Sequence, residues 1–141
     1  MEEFDPDDVL AEQTVALTES PEDEVTVGLQ SLRVTGEVTE ARFVVTPNFS
    51  SVSDDEAISL YDILERTSFR PTLLDPENLK EYSIITDGPS HWGSDSVDTQ
   101  AVNGEPMLVF AMFAAPQDDI DTVEVSFRNV WPPFTDVPIE R

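Results

Sequence analysis

Val25-Thr26-Val27-Gly28-Leu29-Gln30-Ser31-Leu32-Arg33-Val34-Thr35-Gly36-Glu37-Val38-Thr39-Glu40-Ala41-Arg42-Phe43-Val44-Val45-Thr46 is the stretch whose pattern decides the fold. Val25, Val27 and Leu29 alternate with Thr26, Gly28 and Gln30. That period of two lets one face of a strand be buried while the other meets water. After Gln30 the phase changes to Leu32 and Val34, which predicts a bulge near Gln30 or Ser31. Thr35-Gly36-Glu37 supplies a turn, and Ala41, Phe43 and Val45 then share one face of a second strand from Val38 to Thr46. The stretch reads as a β-hairpin.

The same grammar continues outward. Met107 to Ala115 is an unbroken apolar run, too short for the ~20 residues of a membrane-spanning helix, and reads as a strand covered on both faces. Val123, Val125 and Phe127 alternate with Glu124, Ser126 and Arg128. Glu81 to Thr86 places Tyr82 and Ile84 on one face. Phe69 to Asp75 contains Pro71, which removes a ladder donor and predicts an edge strand. Asp75-Pro76-Glu77-Asn78 is turn chemistry, and Asp87 to Asn103 reads mostly as loop. The apolar, Pro-broken end from Trp131 to Ile139 suits a last edge segment. One helix is expected over 53–66, with Ser53 and Glu56 as a capping box and Ala57, Leu60, Tyr61 and Leu64 at helical spacing. Residues 1–24, acidic and Pro-bearing, read as a flexible tail or linker, with docking as an edge strand the alternative. The folded domain is then 25–141. Roughly seven short strands with turn signals between them predict an all-β, immunoglobulin-like β-sandwich, though without the Cys pair and core Trp of antibody domains.

Composition excludes much chemistry. The chain has 141 residues, with 30 Asp and Glu against 7 Lys and Arg, a formal charge of −23. Nucleic-acid binding needs cations that displace counterions from phosphates, so no nucleic-acid partner is expected. A basic membrane-surface module is excluded for the same reason. With no Cys and one His, thiolate nucleophiles, zinc–thiolate sites and paired imidazoles drop out.

Gly88-Pro89-Ser90-His91-Trp92-Gly93 departs from a nucleophile elbow, because Trp92 stands where the strained turn needs Gly. A small hydrolase is therefore disfavoured, and no catalytic residue is assigned. Paired carboxylates are too frequent in so acidic a chain to mark a glycosidase. Calcium takes six to eight oxygen ligands, often from loops. Asp118, Asp119 and Asp121, and Asp95 with Asp98, are the candidate ligands; Asp54-Asp55-Glu56 is a further cluster. None matches an EF-hand loop, and a solvated acidic rim is the competing reading. Asn48-Phe49-Ser50 is a glycosylation sequon that arises often by chance. Trp92, Trp131 and Phe134 are candidates for an aromatic interaction patch, set against core-covering roles for the last two.

Four segments carry a resemblance: Ser59 to Asp62, Leu74 to Tyr82, Phe113 to Pro116 and Trp131 to Ile139. With them, the chain from Val25 onward resembles exported, often lipid-anchored actinobacterial proteins that carry an immunoglobulin-like domain of uncharacterised function. In that group the domain sometimes accompanies an OmpA-like peptidoglycan-binding domain. The resemblance implies a sandwich fold and a secreted or envelope location, and brings no catalytic motif. Some relatives carry a Cys pair in the loop after the tyrosine-bearing strand, where this chain has Ser90 to Val97 and no Cys. Met1-Glu2-Glu3-Phe4 lacks signal-peptide features, so the protein either stays in the cytosol or begins after a removed leader; absence of Cys fits both. The expectation is a non-enzymatic module presenting loops to a protein or cell-wall component. Calcium binding through the Asp-rich loops is the alternative.

Overall fold

The computed structural model describes residues 7–88 and 90–141. Strand accounts for 52% and helix for 3%, so the all-β, sandwich-like expectation holds. In chain order the strands are β1 (Ala11–Ala16), β2 (Asp23–Thr35), β3 (Val38–Phe49), β4 (Ala57–Ser59), β5 (Thr72–Asp75), β6 (Lys80–Ser83), β7 (Thr86–Asp87), β8 (Ser90–His91), β9 (Gln100–Val102), β10 (Met107–Ala114), β11 (Thr122–Ser126) and β12 (Phe134–Pro138). Two sheets have four strands, in the hydrogen-bonded orders β1-β2-β3-β10 and β12-β11-β5-β6. β4 pairs with β9, and β7 with β8.

The β2–β3 hairpin turns at Gly36, whose φ of 64° is a left-handed conformation that costs glycine little. Along β2 the buried positions shift from Val25, Val27 and Leu29 to Leu32, the phase change read from the sequence.

The chain divides into two compact units. One comprises residues up to Gln30 with Phe43–Phe69 and Ser94–Val109; the other comprises Ser31–Arg42, Arg70–Gly93 and Phe110–Arg141. In the first, Val25, Val27, Phe43 and Phe69 are fully or almost fully buried, and the Phe43 and Phe69 rings meet edge to face at 6.5 Å. Each such side chain contributes roughly 1.5–3 kcal/mol by leaving water. In the second, Leu73, Phe113, Val125 and Phe127 are buried, and Trp131 stacks on Phe127 at 5.9 Å.

Four expectations are corrected. Residues 1–24 are not a tail throughout: β1 pairs antiparallel with β2, from Ala11↔Leu29 to Ala16↔Glu24, while residues 1–6 lie outside the described residues. Backbone pairing carries this strand, since Gln13 and Val15 are only half-buried and its other residues are exposed. The helix is a single turn, α1 (Leu60–Ile63), and its capping box is Ser59 with Asp62, not Ser53 with Glu56. Asp62 N donates to Ser59 Oγ at 3.1 Å, and Ser59 N to Asp62 Oδ2 at 3.4 Å. Ala57-Ile58-Ser59 is taken up by pairing with β9, and positive φ at Glu65 and Arg66 ends the turn. So short a helix has little stability of its own, and cross-strand pairing wins.

Pro71 precedes β5 rather than lying in it, and β5 is internal, between β11 and β6. The edges of that sheet are β12, the Pro-broken end, and β6. Lastly, β10 is not covered on both faces: Met107, Val109, Ala111 and Phe113 are buried, while Leu108, Phe110 and Ala114 are exposed. An unbroken apolar run conceals that alternation.

Candidate functional site

The Asp-rich loops are engaged in local structure. Asp95 Oδ1 accepts the Val97 and Asp98 amides at 2.8 and 3.0 Å, the geometry of an Asx turn. Lys80 Nζ lies 2.7 Å from Asp118 Oδ2, and that hydrogen-bonded contact raises the Lys80 ammonium above its ordinary pKa. Asp119 and Asp121 are exposed. Ser53 Oγ donates to Asp55 Oδ1 at 2.7 Å. Among the described residues, no group of three or more His, Cys, Asp or Glu side chains is placed to hold a metal ion.

The three aromatic candidates separate. Trp131 and Phe134 are each only 6% exposed and belong to the core of the second unit, where Arg128 lies over the Trp131 ring at 5.3 Å. Their place in an interaction patch is corrected: a ring stacked on Phe127 gains more from dispersion and desolvation than from facing water. Trp92 remains, 46% exposed.

Its setting is a closed backbone junction. β7 and β8 form a hairpin with Thr86 opposite His91 and Asp87 opposite Ser90, turning at Gly88 with φ of 63°. Ser90 and His91 thus stand on a strand after a turn, not on a strand-to-helix elbow; Pro89 lies outside the described residues. Just beyond the hairpin, Trp92 N donates to Ile85 O at 2.8 Å, Ile85 N to Met112 O at 2.9 Å, and Met112 N to Trp92 O at 2.8 Å. Three segments close a ring of hydrogen bonds around one point.

Gly93 then bridges Ala111, and a Cβ there would stand 2.8 Å from Ile84 Cδ1 and 3.0 Å from Phe110 O. Only glycine lets this segment lie so close to β10. The Gly93–Ala111 register sets Trp92 opposite Met112 and diagonal to Phe110, on the face away from buried Ala111. Phe110 is itself 39% exposed. Phe110 and Gly93 were not anticipated as parts of a site. A glycine directly after an exposed-type Trp, outside any turn motif, was the available signal.

A pocket of about 300 Å³ in the first unit is lined by Asp23, Glu19, Asp62, Glu65 and Arg66 among others. Four of its carboxylates hold local structure. Asp23 holds Ser51, Asp62 caps α1, Glu65 Oε1 accepts Thr18 N at 2.6 Å, and Glu19 pairs with Arg66 at 2.7 Å. Among the described residues no helix is long and apolar enough to cross a membrane. No family model, curated protein or solved structure matches the chain.

Proposed function

We propose that this chain is a non-enzymatic binding module, secreted or attached to the cell envelope, that presents Trp92 as a rigid anchor to a protein partner. The observation that carries this reading is a large aromatic side chain, half exposed, whose backbone amide and carbonyl are both hydrogen-bonded into a three-segment junction. An exposed Trp on a fixed backbone loses little conformational freedom when covered, and Trp leads the residues that dominate interface energies. Phe110 on the same face extends the apolar contact. The partner's complementary surface has an apolar hollow for Trp92 and a basic rim, since a chain of charge −23 attracts cations and repels its own kind. The resemblance in the four segments from Ser59 to Ile139 supports the envelope setting.

The test is a photo-crosslinking aromatic residue placed at position 92 in the full chain in its host, with position 130, occupied by exposed Val130, as control. A single exported protein joined from position 92 and not from position 130 is expected. The same adducts from both positions, or none from position 92, overturn the proposal, and an adduct with a cytoplasmic protein overturns the location.

A further inference from the structure

We propose that the outer edge of β1 is a docking edge for an extended, basic segment of another protein, added as a further strand beyond β1. This goes beyond the Trp92 reading and does not rest on it. Leu17 N donates to Asp23 O at 2.9 Å, which sets the phase of the β1–β2 ladder. Counting back by two along the register, Val15 and Gln13 turn their backbone groups toward Val25 and Val27. Glu12, Thr14 and Ala16 therefore turn theirs the other way. The Thr14–Thr26 pair agrees, with its hydroxyls 3.0 Å apart as suits a non-hydrogen-bonded position. β1 ends the order of its sheet, and no strand of the described residues pairs with that side.

The other edges of the two four-stranded sheets are guarded. β12 is preceded by Pro132 and Pro133 and ends at Pro138. β6 has only four residues and begins with Lys80, and β10 is bridged by Gly93 at Ala111 and by Ile84 at Phe113. Prolines, cations, short length and covering bridges are the devices that keep edges from pairing. β1 has six residues, no proline and no cation.

The charge around it selects the occupant. A second copy paired antiparallel about Thr14 would set Asp7 and Asp8 beside Ser20 to Glu22 at both ends, bringing acids together. A strand with Lys or Arg at alternate positions instead meets Glu12, Asp8 and Glu22, while the main-chain bonds are the same for any sequence.

Amide hydrogen exchange of the full chain, with a short capped peptide of alternating lysine and valine, reads this directly. Slowing of exchange by about tenfold or more is expected at Glu12, Thr14 and Ala16. The fully N-methylated peptide should give none, and a glutamate–valine peptide should bind at least about tenfold more weakly. Thr14→Pro removes an edge-facing N–H and should abolish binding with the melting temperature kept. If that variant loses β1, the N-methylated peptide still decides. Protection elsewhere, no protection at millimolar peptide, or binding of the N-methylated peptide overturns the proposal. A dimer of the chain in sedimentation that Thr14→Pro dissolves overturns the choice of partner.

Discussion

Asp23 begins β2 and is 3% exposed, yet it carries a carboxylate. Its two oxygens are used on a single residue: Oδ1 accepts Ser51 N at 2.9 Å and Oδ2 accepts Ser51 Oγ at 2.6 Å. Hydrogen bonds to a charged acceptor are each worth about 1.5–3 kcal/mol net. Ser51 is exposed, so water replaces part of what is lost, and the lower end applies to both. Asp23→Ala is therefore expected to cost about 3 kcal/mol. Asp23→Asn keeps the shape and one acceptor and should cost about 1 kcal/mol. The backbone bonds of the same residue, Leu17 N to Asp23 O and Asp23 N to Ser20 O, survive both changes. Urea unfolding checks this. With a slope of about 2 kcal/mol per molar, the midpoint of Asp23→Ala should fall by about 1.5 M. Ser51→Ala should lower stability by about 1.5 kcal/mol, and the double variant should show a coupling of about that size. A loss below about 0.5 kcal/mol for Asp23→Ala at unchanged slope, or strictly additive effects, would refute the assignment of this contact as a clamp.

Other outcomes follow from the same structure. Asp75 is buried; the Asn78 side chain, the Asn78 and Glu77 amides and the Lys80 charge together outweigh burial and hold its pKa below 3.8. Since the folded state binds the proton more weakly than the unfolded state, its contribution is full above pH ~4 and is lost as pH falls through the lower folded value. Asp75→Asn should flatten the acid limb of a pH–stability curve, and an unchanged limb would count against this. Gly93→Ala must push aside Ile84 or the Phe110 carbonyl. It should cost about 1–3 kcal/mol and shift the Met112 amide resonance, which accepts no such change if the junction is loose. Trp131→Ala should cost about 3–5 kcal/mol in urea while half-exposed Trp92→Ala should cost about 1–2, and equal losses would contradict their different burial. In melts with EDTA, calcium, magnesium and sodium chloride, the shift should follow ionic strength and ignore ion identity; a calcium-specific rise below millimolar levels would restore the Asp118 and Asp95 loops as ligands.

How far the chain itself announces this differs from element to element. The β2–β3 hairpin was legible because alternation and turn chemistry act within a few residues, and its phase change fell where the side chains reverse. The edge character of the end from Trp131 to Ile139 was legible for the same reason, since proline removes ladder donors wherever it stands. Composition alone removed thiolate and imidazole-pair chemistry, since the chain has no Cys and one His. Capping chemistry at residues 53–56 misled because Ser-x-x-Glu states only that a helix start is affordable there. Whether Ile58 goes into a helix or a strand depends on β9, some forty residues away. β10 misled because apolar residues on an exposed face look like those on a buried one.

Residue type alone does not separate Trp92 from Trp131. One is left in water because Gly93 lets its segment seat on β10, and the other is buried against Phe127 and Arg128. The open side of β1 is likewise a property of what fails to pair with it among the described residues. The strand-forming tendency, the charge and the excluded chemistries were determined by the sequence, because they follow from residue type and short-range periodicity. Which faces and edges meet water was decided only by the tertiary structure, because burial and pairing join residues that are far apart along the chain.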